Sequence, residues 1–139
     1  MRNYVLAFMI DLAQNKILLI KKNRPAWQAG KLNGIGGKIE GEELPIQAII
    51  REVEEETGLV TFDNEWTNFG QMNLIDGGAV YLFRSFREDL ENAVSITDEE
   101  VIIRSIDLND LRSDVMPNLI WLIESSLDSS ISYINVNLN

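Results

Sequence analysis

The stretch from Gly37 to Leu59, GKIEGEELPIQAIIREVEEETGL, constrains the fold more than any other part of the chain. Ile46, Ile49, Ile50 and Val53 fall at i, i+3, i+4 and i+7, so they form one apolar stripe of a helix that must be buried against a partner layer. Pro45 suits the first turn, where its missing N–H has no helical partner in any case. Gly58 suits the left-handed residue that closes a helix. Glu52, Glu55 and Glu56 share a different face, again at i, i+3 and i+4. Like charges at that spacing destabilise an isolated helix by about 0.2–0.5 kcal/mol per pair. They also sit near the C-terminus, where the helix dipole disfavours anions. Local rules broken together in one place tend to mark functional sites, although a Glu-rich helix face taken alone is most often plain solvated surface.

A hard divalent cation accounts for this crowding. Mg²⁺ takes oxygen ligands, commonly one or two carboxylates together with substrate phosphates and water. Glu52, Glu55 and Glu56 supply such oxygens, and the backbone carbonyl of Gly37 is a further candidate. Arg51 is placed to orient a carboxylate or offset excess charge when no cation is bound. The preceding run, Asn23 to Ile39, contains Gly30, Gly34, Gly36 and Gly37. It reads as a long shaped loop, and such loops inside compact domains usually carry function.

Composition narrows the chemistry. The 139 residues contain neither cysteine nor histidine, so thiolate catalysis, disulfides, imidazole bases and imidazole metal sites are excluded. A reducing, cytoplasmic setting is expected. The formal charge of −10 repels a nucleic-acid backbone but admits a small anionic substrate bridged by a cation. No apolar run approaches the roughly 18 residues of a membrane span, and the apolar stretch Val5–Ile10 reads as a strand and not a signal peptide.

Strands are expected at Tyr4–Ile10, Ile17–Ile20, Trp66–Asn73, Ala79–Phe86 and Val101–Ile106, with a turn at Asp76-Gly77-Gly78. A second helix is expected over Met116–Leu127, and the tail from Ser129 reads as an edge strand or a frayed end. Interleaved strands and helices give a mixed α/β class in one domain, residues 1–139.

These residues resemble the signature of the Nudix hydrolases: Gly, five residues, Glu, seven residues, Arg-Glu, aliphatic, any, Glu-Glu, any, Gly, aliphatic. Gly37, Glu43, Arg51, Glu52, Val53, Glu55, Glu56, Gly58 and Leu59 occupy every fixed position. The resemblance implies an α+β fold, a mixed central sheet flanked by helices in an α/β/α sandwich. It also implies hydrolysis of a nucleoside diphosphate linked to another group. Glu52, Glu55, Glu56 and the Gly37 carbonyl would bind Mg²⁺, with Mn²⁺ as a substitute, while Glu43 and Arg51 support them. A base or further ligand from a downstream loop is implied as well. Of Asp98-Glu99-Glu100, Glu100 is the first choice, alongside Glu56. The one departure near the helix is Glu40-Gly41-Glu42-Glu43, which lacks the proline common there.

Within the family, Lys31-Leu32-Asn33-Gly34-Ile35-Gly36-Gly37-Lys38 is similar to the MutT-type nucleoside triphosphate pyrophosphohydrolases, including those that remove oxidised purine nucleotides. By that resemblance Asn33 contacts a base, while Trp27 can stack on one. Lys38 is placed to touch a phosphate oxygen. Met116 and Trp121 are candidates to close the pocket, with core packing the plainer role for Trp121. Asn118, in Met116-Pro117-Asn118-Leu119, could bond a base, but the acidic pair found there in mammalian oxidised-purine enzymes is missing. The expected partner is a small nucleotide, with the chain a monomer or homodimer. The alternatives are a pyrophosphatase of ADP-ribose or dinucleotide polyphosphates, or a nucleotide sensor that does not cut. The short N-terminus leaves no room for the extra dimerisation domain of many ADP-ribose enzymes, and no signature glutamate is lost.

Overall fold

The structure is a computed structural model describing residues 2–139; Met1 lies outside the described residues. Eight strands form one mixed sheet: β1 (Tyr4–Asp11), β2 (Lys16–Lys21), β3 (Leu32–Asn33), β4 (Ile35–Lys38), β5 (Thr67–Asn73), β6 (Ala79–Phe86), β7 (Glu100–Ser105) and β8 (Ile134–Asn137). Helix α1 spans Pro45–Thr57, α2 is a single turn at Leu108–Leu111, and α3 spans Leu119–Leu127. The main path across the sheet is β3-β2-β1-β6-β5-β8, with β4 added to β1 and β7 to β2.

β1 runs down the middle and alternates its side chains between two cores. Phe8 and Ile10 join Phe69, Leu82, Leu119 and Ile123 on the α3 face. Val5, Ala7 and Met9 join Ile35, Ala48, Ile49 and Val53 on the α1 face. A central strand buried on both sides needs the near-continuous apolar run that β1 and β2 carry. The expected helix–sheet–helix layering is therefore present. No helix among the described residues is long and apolar enough to cross a membrane.

The stretch read as a loop is more ordered than expected. β1 pairs with β2 only through Met9, Ile10 and Asp11. Its earlier half, Tyr4 to Ala7, pairs antiparallel with β4, Lys38 to Ile35. β2 diverges in the same way and pairs with β3 through Ile20↔Asn33 and Lys21↔Leu32. The two strands thus fork, and the chain folds back into the fork at Gly34. A side chain there would meet the Ala7 carbonyl oxygen at 2.7 Å. Glycine-rich sequence suggests a loop, but at Gly34 and Gly36 the missing side chain permits close strand approach instead.

Helix α1 has the expected ends. Pro45 is its first residue, the Leu44 N–H donates to Gln47 Oε1 at 2.8 Å, and Gly58 closes it with φ of 75°. α3 starts three residues later than expected, at Leu119. Pro117 and the positive φ of Asn118, 75°, keep Met116–Asn118 out of the helix. The tail forms an edge strand, β8, parallel to β5.

Candidate functional site

The fork opens a cleft of about 690 Å³ on the α3 face. Leu6, Val80, Met72, Leu119 and Leu122 make its apolar side, and Trp27, Asn33, Met116 and Asn118 stand around it. Trp27 is 69% exposed and packs into no core, so its ring is available to a ligand. Gly36, Gly37, Lys38 and Glu56 form the other end of the same cleft. Pockets of this size with a few polar groups in an apolar lining are where small ligands bind.

Glu56 belongs to α1, on the far side of the sheet, and reaches the cleft because β4 has no side chains in the way. A Cβ on Gly37 would stand 2.3 Å from Glu52 Oε1. The N–H of Gly36 donates to Glu56 Oε2 at 3.3 Å. One pair of glycines in β4 therefore brings two carboxylates of α1 against strand backbone.

Arg51 organises the neighbouring acids. Its Nε and one terminal nitrogen donate to the two Glu43 oxygens at 2.7 and 2.9 Å, a paired geometry that a lysine cannot reproduce. Its other terminal nitrogen donates to Glu52 at 3.0 Å and Glu55 at 3.2 Å, and a further bond reaches the Lys38 carbonyl at 3.0 Å. The Arg51 contact, with the Glu40 N–H, holds Glu43 below the ordinary carboxylate range. Burial pushes Glu52 up despite Arg51. Burial first, then the Glu52 charge, pushes Glu56 up to about 8.

Of the two downstream acids, Glu99 is the one whose charge acts on Glu56, while Glu100, the expected choice, faces solvent. Glu100 is exposed and pairs with Lys21 across the β2–β7 ladder. Glu99 is 9% exposed. Its carboxylate accepts from Lys22 Nζ at 3.2 Å and from the Asn23 N–H at 2.8 Å, and its charge is felt at Glu56. The sequence did carry a signal. Val101 packs on the α1 face and Ile102 on the other, so the two-residue period puts Glu99 with Val101, on the side of Glu56. Trp121 is only partly buried, packs against the α3 core and donates its Nε1–H to Asn118 Oδ1 at 3.1 Å. It does not line the cleft.

The family model described as NUDIX domain matches residues 2–121. The chain belongs to the Nudix family. Over 45 residues it is 44% identical to the 8-oxo-dGTP diphosphatase of Escherichia coli (strain K12), a match covering 32% of this chain and 35% of that relative. The match thus spans about a third of the curated relative's length. Among solved structures, the MutT protein of Bacillus halodurans superimposes with a TM-score of 0.74 at 17% identity, covering 99% of this chain and 88% of that one. MutT from Aliivibrio salmonicida and Vibrio cholerae gives 0.70 at 22% identity, covering 89% and 95%. A Nudix hydrolase from Nitrosomonas europaea gives 0.72 at 19% identity, covering 100% and 80%. These likenesses establish the Nudix fold.

Nudix enzymes generally use divalent metal ions, and the donors gathered here suit one chemically. All are oxygens, as a hard cation requires. Burial first, and then the Glu52 charge, raise the Glu56 pKa, and a bound cation would offset both. Among the described residues no three acidic side chains already enclose an ion-sized space. Arg51 draws Glu52 and Glu55 to one side while Glu56 turns to the Gly36 N–H. Glu55, with its side chain 54% exposed, is the freest of the three to swing inward.

Proposed function

We propose that the protein is a Mg²⁺-dependent pyrophosphohydrolase that converts a purine nucleoside triphosphate, ordinary or oxidised, to the monophosphate and pyrophosphate. The observation carrying this is Glu56, whose carboxylate passes the Gly36–Gly37 gap to one end of a cleft that is apolar at the other. A base fits against the apolar end, and its phosphates then lie toward the acids. The relative named 8-oxo-dGTP diphosphatase supports a nucleotide as the substrate. A cytoplasmic nucleotide pool is the setting that suits it.

Glu52, Glu55, Glu56 and the Gly37 carbonyl would hold the cation, with Mn²⁺ able to replace Mg²⁺. When bound, such an ion neutralises the diphosphate and polarises its P–O bonds. Trp27 stacks on the base, and Asn33 and Asn118 hydrogen-bond its edge. Lys38 meets a phosphate oxygen. Water attacks phosphorus, the anhydride P–O bond breaks toward pyrophosphate, and a carboxylate takes the proton of the water. Glu99 fits that role, because Lys22 and the Asn23 N–H fix its orientation. Glu43 and Arg51 position Glu52 and touch no substrate.

Pyrophosphate release from a nucleoside triphosphate panel, with and without Mg²⁺, tests this. Glu55→Gln and Glu56→Gln should each lose at least about tenfold in rate; near wild-type rates in both would remove the metal-site assignment. Release of AMP from ADP-ribose or a dinucleotide polyphosphate in place of pyrophosphate would move the protein to another Nudix class. Tight binding without cleavage would make it a sensor.

A further inference from the structure

The two outer edges of the sheet are finished differently. β7, at one end, carries Glu100 and Arg104, and Arg104 is tied to Asp110 and Asp114. Charges of this kind keep an edge from pairing with a second chain. β8, at the other end, pairs with β5 alone among the described residues. From Ser129 to Asn139 no side chain is charged, in a protein with a formal charge of −10. No proline or glycine interrupts β8 either.

The main chain of this strand is half used. The Leu138 N–H donates to the Asn73 carbonyl at 2.9 Å, and alternation then turns the N–H and C=O of Asn135 and Asn137 away from β5. Ile134, Val136 and Leu138 lean on the α3 core and stay partly exposed. Asn135 and Asn137 lie on the other face, where Asn73 Nδ2 donates to the Oδ1 of each at 2.8 Å. Outward from Val136 the strand has the same pattern in both directions: an asparagine on each side, then Ile134 and Leu138.

We infer that β8 pairs antiparallel with β8 of a second copy, about a two-fold axis at Val136. The pattern of the strand is its own complement, as an interface between identical surfaces requires. In this register Asn135 faces Asn137 across the axis, Ile134 faces Leu138, and Val136 meets its own equivalent. Each Asn135–Asn137 pair exchanges both main-chain bonds, and each side-chain NH₂ finds an amide oxygen with a lone pair to spare. A slip of one residue would set asparagine against apolar groups on both faces. A slip of two keeps the faces matched but loses an apolar pair. Repulsion between the acidic chains favours contact where the charge is missing. The interface is one strand wide, so it belongs to the small, transient class, under about 1,200 Å².

Sedimentation equilibrium of the full chain should give 15.8 kDa in dilute solution. The mass should move toward twice that value at roughly 10–100 µM, as a small interface dictates. Asn137→Pro removes an outward N–H from the strand and should weaken association at least about tenfold. Asn137→Ala loses the same amide side chain but keeps the N–H, and should weaken it only a few-fold. Both variants should melt alike in dilute solution, which separates lost pairing from a damaged fold. The protein has no thiol of its own, so single cysteines report the register. Under mild oxidation Val136→Cys should cross-link at least about tenfold faster than Asn135→Cys. The axis brings the Val136 Cα atoms to about 4.5 Å, within disulfide reach, whereas Asn135 lies diagonally from its equivalent, about 7–8 Å away. Ile103→Cys, on the β7 edge, measures random collision. A mass of one chain up to roughly 500 µM, equal loss in the two Asn137 variants, or no preference for position 136 over 135 and 103 overturns the inference. A monomer at every concentration would leave the edge to a different extended chain or to none.

Discussion

Adding one methyl group at Gly36 and one at Gly37 should produce opposite failures, although the residues are neighbours in β4. At Gly36 the new Cβ would lie 2.2 Å from the Val5 carbonyl oxygen, on the strand to which β4 is bonded. Relief requires β4 and β1 to separate by roughly 1 Å in the middle of a ladder, at the upper end of overpacking penalties, about 3 kcal/mol. The restricted unfolded chain returns under about 1 kcal/mol. The net loss of about 2–3 kcal/mol corresponds to a fall in Tm of roughly 6–12 °C for a domain of this size. At Gly37 the obstacle is the end of the Glu52 side chain, 2.3 Å away. That carboxylate can move, so stability should fall by under about 1 kcal/mol. A reacting group displaced by roughly 1 Å, however, costs on the order of a hundredfold in rate. Thermal melts in the presence of a chelator, read beside pyrophosphate release, separate the two effects. A Gly36→Ala protein melting within a degree or two of wild type, or a Gly37→Ala protein with full turnover, would refute the account of how β4 and α1 fit together.

Four further outcomes are expected. The metal-free protein should lose stability as pH rises from about 4.5 to about 8, because folding raises the Glu56 pKa, the folded state holds the proton more tightly, and that advantage disappears once the folded group ionises. Tm against pH in chelator should show this fall, and Glu56→Gln should flatten it. Arg51→Ala should cost about 2–3 kcal/mol in urea denaturation, because it strips Glu43 of a paired charged contact and leaves crowded carboxylates unopposed. Gly58→Ala should cost about 1 kcal/mol from its left-handed backbone, with turnover retained at a temperature where both proteins are folded. Glu99→Gln should lower kcat by about a hundredfold with little change in KM, whereas Glu100→Gln should leave both unchanged.

Periodicity carried most of the fold. β6 spans the expected Ala79–Phe86, and β1 and α1 lie where their apolar patterns put them. What escaped has physical reasons. β3 and β4 hold few side chains with a readable pattern, and their pairing depends on glycines touching a strand distant in sequence. α2 is one turn long, marked only by Asp107 accepting from the Asp110 N–H. On α1 the most buried positions are Ala48, Ile49, Val53 and Thr57, while Ile46 and Ile50 lie at the margin. The stripe is thus rotated slightly from its expected centre. Glu99 sits in a run of three acids, and no immediate neighbour in the chain marks it as the one that is held. Its partners, Lys22 and the Asn23 N–H, lie more than seventy positions earlier.

The divided edge of β1 has a consequence for how such a protein can diversify. β2 leaves that edge beyond Met9, and β4 takes up the remainder at Ala7, so the segment joining β2 to β3 bears no duty in holding the central ladder. Beyond Asn23 it can lengthen, shorten or change its aromatic residue while α1 and its acids keep their register. Ligand preference can thereby drift with little disturbance of the acids on α1, so long as Lys22 and Asn23 at the start of the segment keep their hold on Glu99.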